Sequence, residues 1–373
     1  MMNQHLTVAG ERDTGRGNQL GRGMGRGVVA PAHLAPLVRE CVTSAGTRVC
    51  FSTVGDGPPV LVLPGWASHL TLDWSNSRLG AFYRILAQRR RVVFLDPPGI
   101  GLPATATTGL DIDAQVECVL AVLVATGCAQ PSIVASSFGG PLAIALAARY
   151  PERVDRLVLL STGPRFLASE ENSDGIDPEL LHAVESLIRA DWQLGSRAIA
   201  EILLPHASAS FITWYADLQR LTTRAQDAAR MLSVLGSVDL RDELTQVTAP
   251  TLVLHRLDAT FPPLTVAQRM AAAIPNATLQ ILPGHINLPL VVDPEDTAKR
   301  VIGFLAPAES LLTPRELAVL EKLSNGLSNR AIARTLGISE HTVARHLANV
   351  FRKFSVNNRG AAIAHAHRLG VAS

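Results

Sequence analysis

Ala135-Ser136-Ser137-Phe138-Gly139-Gly140 lies where a short apolar run, Ser132 to Ala135, gives way to a helical pattern. A serine at such a junction can be thrust out on a strained turn of the G-x-S-x-G kind, where only small neighbours fit. Ser137 is therefore the candidate nucleophile, with Gly139 and Gly140 at the small positions and Ala135 replacing the first glycine. An ordinary strand-to-helix turn capped by serine reads the same over so few residues. A second fragment points the same way. After the run Val60 to Leu63 comes Pro64-Gly65-Trp66, a loop whose backbone N–H can join that of the residue after the nucleophile. Trp66 and Phe138 are the candidate oxyanion-hole donors, through their main-chain N–H groups.

A different chemistry gathers near the other end of the chain. Between Glu340 and Phe354, Val343, Leu347, Val350 and Phe354 form an apolar stripe, while Thr342, Arg345, His346, Asn349 and Lys353 carry donors suited to base edges and phosphates. The helix bearing them must be held by others. Thr313-Pro314-Arg315-Glu316 combines a cap, a first-turn proline and a glutamate able to reach back, so a helix is expected to start there and to end at Gly326. Ser328 caps a second helix, which carries Arg330 and stops at Gly337, and Ser339 caps the third. Two helices joined by Gly-Ile-Ser make a helix-turn-helix. From Leu311 onward nine Lys/Arg face three Glu, whereas the whole chain carries a net charge of only +2. A small basic module on a nearly neutral chain suits a polyanion. A three-helix bundle with a solvated polar face is the plainer alternative.

The stretch LTPRELAVLEKLSNGLSNRAIARTLGISEHTVARHLANVFRKF, followed by NNRGAAIAHAHRLG, resembles the LuxR-type (GerE-like) helix-turn-helix. The resemblance implies double-stranded DNA as partner, with Arg330, Thr342, Arg345, His346, Asn349 and Lys353 as the reading set. Ala344, Ala331 and Gly360 stand where the family usually has lysine, glutamate and threonine, which bears on the target sequence rather than on the module. Such readers work in pairs, so a homodimer is expected, with the helix from about Ala361 to Arg368 as a candidate contact.

Upstream, short apolar runs alternate with helical patterns: Val60–Leu63, Arg91–Leu95, Ser132–Ala135, Arg156–Leu160, Thr251–His255 and Thr278–Leu282. Strands alternating with helices imply a mostly parallel sheet. A hairpin turning at Ala45-Gly46 precedes them and would set Cys41 opposite Cys50. From about 162 to 247 the alternation stops and helical segments take over, Pro178–Asp191 and Gln219–Leu232 among them. The expected organisation is an Arg/Gly-rich disordered leader at 1–35, an α/β domain at 36–306 with a helical insertion, and an all-α helix-turn-helix domain at 309–373.

With Asp96-Pro97-Pro98-Gly99-Ile100-Gly101 added to the two site fragments, residues 38 to 305 resemble the α/β-hydrolase fold, and the helical insertion corresponds to that family's lid. The resemblance implies a Ser-acid-His triad and a small organic ligand or ester. Asp258 is the carboxylate after the strand Thr251–His255. For the base, Leu282-Pro283-Gly284-His285-Ile286-Asn287-Leu288-Pro289 admits two registers. Counting from the glycine selects His285, whereas counting back from Pro294 selects Asn287, an amide that cannot accept the serine proton. In the first register His285 deprotonates Ser137, Asp258 orients the imidazolium, and an acyl compound is cleaved. In the second, the pocket binds without turnover.

Composition bounds the remainder. The chain has 373 residues, 47% hydrophobic and 18% charged, enough for two domains. No apolar run approaches the ~20 residues of a membrane helix, and the N-terminus lacks the apolar core of a secretory signal, so a cytoplasmic protein is expected, without a membrane partner. The four cysteines lack CxxC spacing and the histidines do not cluster, so neither a metal site nor a cofactor is expected. Three readings remain open: a ligand-sensing transcription regulator, a serine hydrolase with a DNA-binding tail, and a non-catalytic fold that only dimerises the reader.

Overall fold

The structure, a computed structural model, describes residues 36–77, 79–101, 111–168, 174–306, 312–354, 356 and 358–368. The leader assigned to 1–35 and residues 307–308, between the two expected domains, lie outside them.

Eight strands form one sheet: β1 (Leu37–Val42), β2 (Arg48–Val54), β3 (Pro59–Leu63), β4 (Arg91–Asp96), β5 (Ser132–Ser136), β6 (Leu157–Leu160), β7 (Thr251–Arg256) and β8 (Ala277–Leu282). Their spatial order is β1-β2-β4-β3-β5-β6-β7-β8, with β2 antiparallel to both β1 and β4 and the remaining pairs parallel. Each apolar run became a strand, because a parallel sheet covered on both faces needs side chains that shun water on both sides. The alternation is explicit in β3: Leu61 and Leu63 enter one buried cluster, Val60 and Val62 the other.

The hairpin turns at Gly46, whose φ is 84°. Its register corrects one expectation: Cys41 pairs with Val49 and Cys50 with Glu40. This offset of one residue sends the two thiols to opposite faces of the hairpin, and both are free.

Helices cover the sheet: α1 (Leu72–Ser75), α2 (Leu79–Ala87), α3 (Ile112–Thr126) and α4 (Gly139–Arg149). Between β6 and β7 stand four more, α5 (Pro178–Ala190), α6 (Trp192–Leu203), α7 (Ala209–Thr222) and α8 (Ala225–Ser237). After β7 come α9 (Leu264–Ala273), α10 (Pro289–Val292) and α11 (Pro294–Leu305). The single helix expected from Gln219 to Leu232 is broken, with Thr223 and Arg224 both extended. The break has a tertiary cause. The Trp192 indole donates to the Thr223 carbonyl at 3.1 Å, capturing an acceptor that a continuing helix would use for itself.

The C-terminal helices are α12 (Pro314–Ser324), α13 (Asn329–Leu336), α14 (Glu340–Lys353) and α15 (Arg359–Arg368), around their own apolar cluster of Val319, Leu323, Ile332, Val343, Leu347 and Val350. The expected caps are present. Thr313 and Glu316 form a reciprocal capping box, Ser328 accepts from Ala331 N–H, Ser339 accepts from Thr342 N–H, and Gly337 is left-handed.

Glu316 also receives the Lys353 ammonium, so one buried carboxylate ties the start of α12 to the end of α14. Burial would push this carboxyl up, but Lys353 and the Thr313 donors outweigh it and hold the group below its usual range. Glu316→Ala removes both roles and is expected to destabilise the helical module by about 1–2 kcal/mol, read as a lower midpoint in denaturant, whereas an unchanged midpoint refutes this account.

Candidate functional site: a serine elbow under a helical lid, and a basic helix

Ser137 stands at the β5–α4 junction with φ 48°, a left-handed backbone that costs a non-glycine residue about 1–3 kcal/mol. The surroundings enforce it. Ser137 N–H donates to the Leu160 carbonyl at 3.0 Å, and its own carbonyl accepts from the Thr162 hydroxyl at 2.6 Å. The helix that follows approaches the sheet so closely that a Cβ on Gly139 would lie 2.4 Å from the Pro64 carbonyl oxygen, and one on Gly140 1.9 Å from the Thr162 hydroxyl. Both glycines are therefore required by packing, as expected of an elbow.

Ser137 lines a cavity of about 40 Å³ with Gly65, Trp66, Tyr83, Tyr215 and Leu288, which leaves room for only a few water molecules. The expected oxyanion loop is part of the same wall, because Trp66 follows Gly65 over the serine. A Cβ on Gly65 would sit 3.1 Å from that of Ser137. The Trp66 indole donates to the buried Gln219 amide oxygen of α7 at 2.8 Å, and Gln219 in turn donates to the Ser196 and Tyr215 carbonyls. The Trp66 ring also meets Phe138 edge-on at 5.5 Å. Sequence reasoning missed Gln219, since nothing local marks a polar residue of an insertion as the partner of a loop 153 residues away.

The other expected triad members are not gathered at Ser137. Asp258 is exposed, with its backbone N–H on the Gly284 carbonyl, and His285 is exposed, its ring 6.3 Å from that of His206 in the lid. Neither lines the serine cavity, and among the described residues no hydrogen bond joins Ser137 to either. Asn287 instead lies inside, 6% exposed. The buried Arg256 anchors the two ends of this loop, its guanidinium donating to the Pro283 carbonyl and pairing with the Asp293 carboxylate. Asn287 Nδ2 donates to the Phe261 carbonyl at 3.2 Å, while its Oδ1 is buried without a partner. His255, also buried, contacts the next carbonyl, Pro262, at 2.9 Å through Nε2, and burial lowers its pKa. Sequence reasoning treated His255 only as a strand end.

A carboxyl pair lies behind the oxyanion loop. Asp96 accepts from Leu70 N–H at 3.3 Å. Asp73 is buried, its Oδ1 lacks a partner, and desolvation pushes its pKa up to about 8, with His69 N–H and the Ser68 hydroxyl pulling down and Asp96 adding to the rise. Tyr83 and Tyr215, which line the serine cavity, are pushed up by burial first and by the Asp73 charge second.

On α14 the apolar side is buried as expected, but the outward face differs in detail. Arg345 is exposed together with His341, Ala344, Ala348 and Arg352, while Thr342, His346 and Asn349 are half-buried along its edge. Arg330 of α13 is exposed, with its guanidinium 4.0 Å from Glu340. Lys353, expected among the DNA-reading residues, is exposed and at the same time pairs with Glu316. Arg352, which donates to Asn349 Oδ1 at 2.9 Å, lies opposite the apolar stripe beside Arg345 and was missed, since the expected reading face ran from Thr342 to Lys353 along one flank. Among the described residues no group of three or more metal-ligating side chains occurs, and no helix is long and apolar enough to cross a membrane.

Because the raised pKa of Asp73 favours the protonated native state, its contribution to stability is full below the ordinary carboxylate pKa and is lost as pH rises toward about 8. Asp73→Asn is expected to flatten the fall in thermal midpoint over that interval. An unchanged pH profile refutes the assignment.

Comparison with known proteins agrees with this geometry. Residues 58–287 match the alpha/beta hydrolase fold family, and residues 310–366 match the luxR family of bacterial regulatory proteins. The chain is 31% identical over 296 residues to a 2-hydroxymuconate semialdehyde hydrolase of Pseudomonas putida, covering 76% of this chain and 99% of that one. It is 30% identical over 253 residues to a pimeloyl-[acyl-carrier protein] methyl ester esterase of Nitrosomonas europaea, covering 66% and 94%. An esterase structure from Exiguobacterium antarcticum superposes with a TM-score of 0.63 at 18% identity, over 72% of this chain and 99% of that one, which is a likeness of fold. The elbow serine under its lid and the capped helices with their basic outer face thus place the chain in the alpha/beta hydrolase family, joined to a DNA-binding domain of the luxR family.

Proposed function

We propose that the protein is a transcription regulator in which the hydrolase-fold domain senses a small organic ligand at Ser137 and thereby controls the luxR-type reader. The observation that carries the binding half is which side chain of the loop after β8 is turned inward: Asn287 is buried and His285 is exposed. An amide cannot act as a general base, so Ser137 is left with oxyanion donors but no group to take its proton. The expected catalytic set Ser137, Asp258 and His285 is accordingly read here as a binding elbow with a displaced histidine. Ligand chemistry follows from the walls. Trp66, Phe138, Leu181, Ile199 and Leu232 line an apolar slot under the lid, and esters and carbonyl compounds are what the named relatives act on. The spaces are small, so a ligand must displace the lid helices. Gln219 ties one of them to Trp66, which supplies a two-state element for the ligand to bias.

The DNA half rests on the luxR match and on the outward cations Arg330, Arg345 and Arg352. Binding as a homodimer in the cytoplasm belongs to this reading. Turnover is the second reading, favoured by the strained φ of Ser137, a cost that a purely structural serine has no need to bear.

Two measurements test the proposal. A fluorophosphonate probe is expected to leave Ser137 unlabelled in the folded protein, whereas rapid labelling abolished by His285→Ala establishes turnover. Asn287→His is expected to raise hydrolysis of a short p-nitrophenyl ester by about 10²–10⁴-fold, the usual worth of a positioned base, with the gain lost on adding Ser137→Ala. For the reader, Arg345→Ala and Arg352→Ala are expected to weaken duplex DNA binding about tenfold each and to reduce its salt dependence. Wild-type affinity in both refutes the outward face.

A further inference from the structure

Two histidines face each other where the lid meets the loop after β8. His206 lies between α6 and α7, His285 lies between β8 and α10, and their ring centroids are 6.3 Å apart with planes crossing at 74°. Both side chains are exposed, so ions in solution reach them. They are far apart along the chain, which is why residue spacing pointed to no metal site.

The backbone holds each of them in place. Around His206, Leu204 N–H donates to the Ala200 carbonyl at 3.0 Å, Ala207 N–H donates to the Leu204 carbonyl at 3.1 Å, and the Ser208 hydroxyl caps α7. His206 itself has φ 67°, a left-handed conformation uncommon outside glycine. Around His285, Arg256 anchors the Pro283 carbonyl, and Asp258 N–H donates to the Gly284 carbonyl at 3.2 Å. The residue after each histidine, Ala207 and Ile286, packs on one apolar cluster that includes Leu204 and Ile212. The two loops are therefore packed together, and the rings meet because their backbones do.

The spacing suits a shared ion. With a metal–nitrogen bond of about 2.0–2.1 Å, two imidazoles on one ion hold their ring centres roughly 5–6 Å apart. A small turn of either exposed side chain closes the difference from 6.3 Å. Neutral imidazole suits zinc, copper and nickel, whereas magnesium and calcium take oxygen ligands.

We infer that His206 and His285 bind a divalent transition-metal ion of the zinc class, with solvent in its remaining positions. Two side-chain ligands make such a site weaker and more readily exchanged than a closed structural one. The ion bridges a lid loop and the loop that carries Asn287, so its occupancy latches the lid against the sheet domain. Neither ligand lines the Ser137 cavity, and the inference does not rest on whether that cavity binds or turns over its ligand.

Titration calorimetry on the full chain, first stripped with a chelator, tests it with zinc and nickel as probes and magnesium and calcium as controls. Saturable binding of zinc and nickel is expected, with neither control binding. His206→Asn keeps a residue that tolerates the left-handed backbone, and His285→Gln alters only an exposed side chain. Each should weaken zinc binding by at least about 10–100-fold, the usual cost of losing even an outer-shell partner. His341→Gln, in the DNA-binding module, should leave it unchanged. Zinc should also slow amide hydrogen exchange at both 204–208 and 284–288 in the wild type and in neither single variant. Wild-type zinc affinity in either His206→Asn or His285→Gln overturns the shared site, as does equal affinity for magnesium or no zinc binding. Binding that leaves exchange unchanged in both segments overturns the latch.

Discussion

The close approach of α4 to the sheet at Ser137 is the constraint on which the hydrolase domain turns. A left-handed serine is tolerated there because Gly139 and Gly140 let the helix settle against the Pro64 carbonyl and the Thr162 hydroxyl. Any added Cβ would lift the helix away from β3 and relax the turn. The same approach brings the loop after β3 over the serine, which is how Gly65 and Trp66 come to face it. The strain is met by the surrounding apolar clusters, whose residues each contribute about 1.5–3 kcal/mol when fully buried.

From that point the polar interior decides between chemistry and binding. Arg256 anchors the loop at Pro283 and Asp293, and within it Asn287 is the side chain turned inward. Asn287 and His255 hold the consecutive carbonyls of Phe261 and Pro262, so the turn after β7 is braced by polar side chains. An amide there keeps the brace and forgoes the basic nitrogen. Trp66 connects the same site to the lid through Gln219, whose amide is satisfied on both sides. A ligand that shifts the lid must break or carry this contact, a defined difference between two states.

In the reader, electrostatics serves folding before recognition. Glu316 closes the capping box of α12 and receives Lys353 from the end of α14, so a cation that reads as a phosphate contact also fastens two helices. Arg330, Arg345 and Arg352 are among the exposed cations of the module. A buried carboxylate left without its ammonium would cost more than an exposed pair contributes.

The apolar runs that became strands, the tight serine turn with its small neighbours and the capped helices of the C-terminal module were legible in the residues alone, because each depends on neighbours a few positions away. Backbone period, cap chemistry and the need for small residues at a tight turn are local properties. What the sequence left open was settled by contacts between distant segments. The Trp192 indole split the helix expected across Thr223, the hairpin register separated Cys41 from Cys50, and the loop anchored by Arg256 buries Asn287 and leaves His285 beside the lid. His206 and His285 come from distant segments and show no pattern along the chain. Local spacing determines what a segment becomes. Which side chain reaches a shared cavity depends on packing across the chain, and only the tertiary structure decides it.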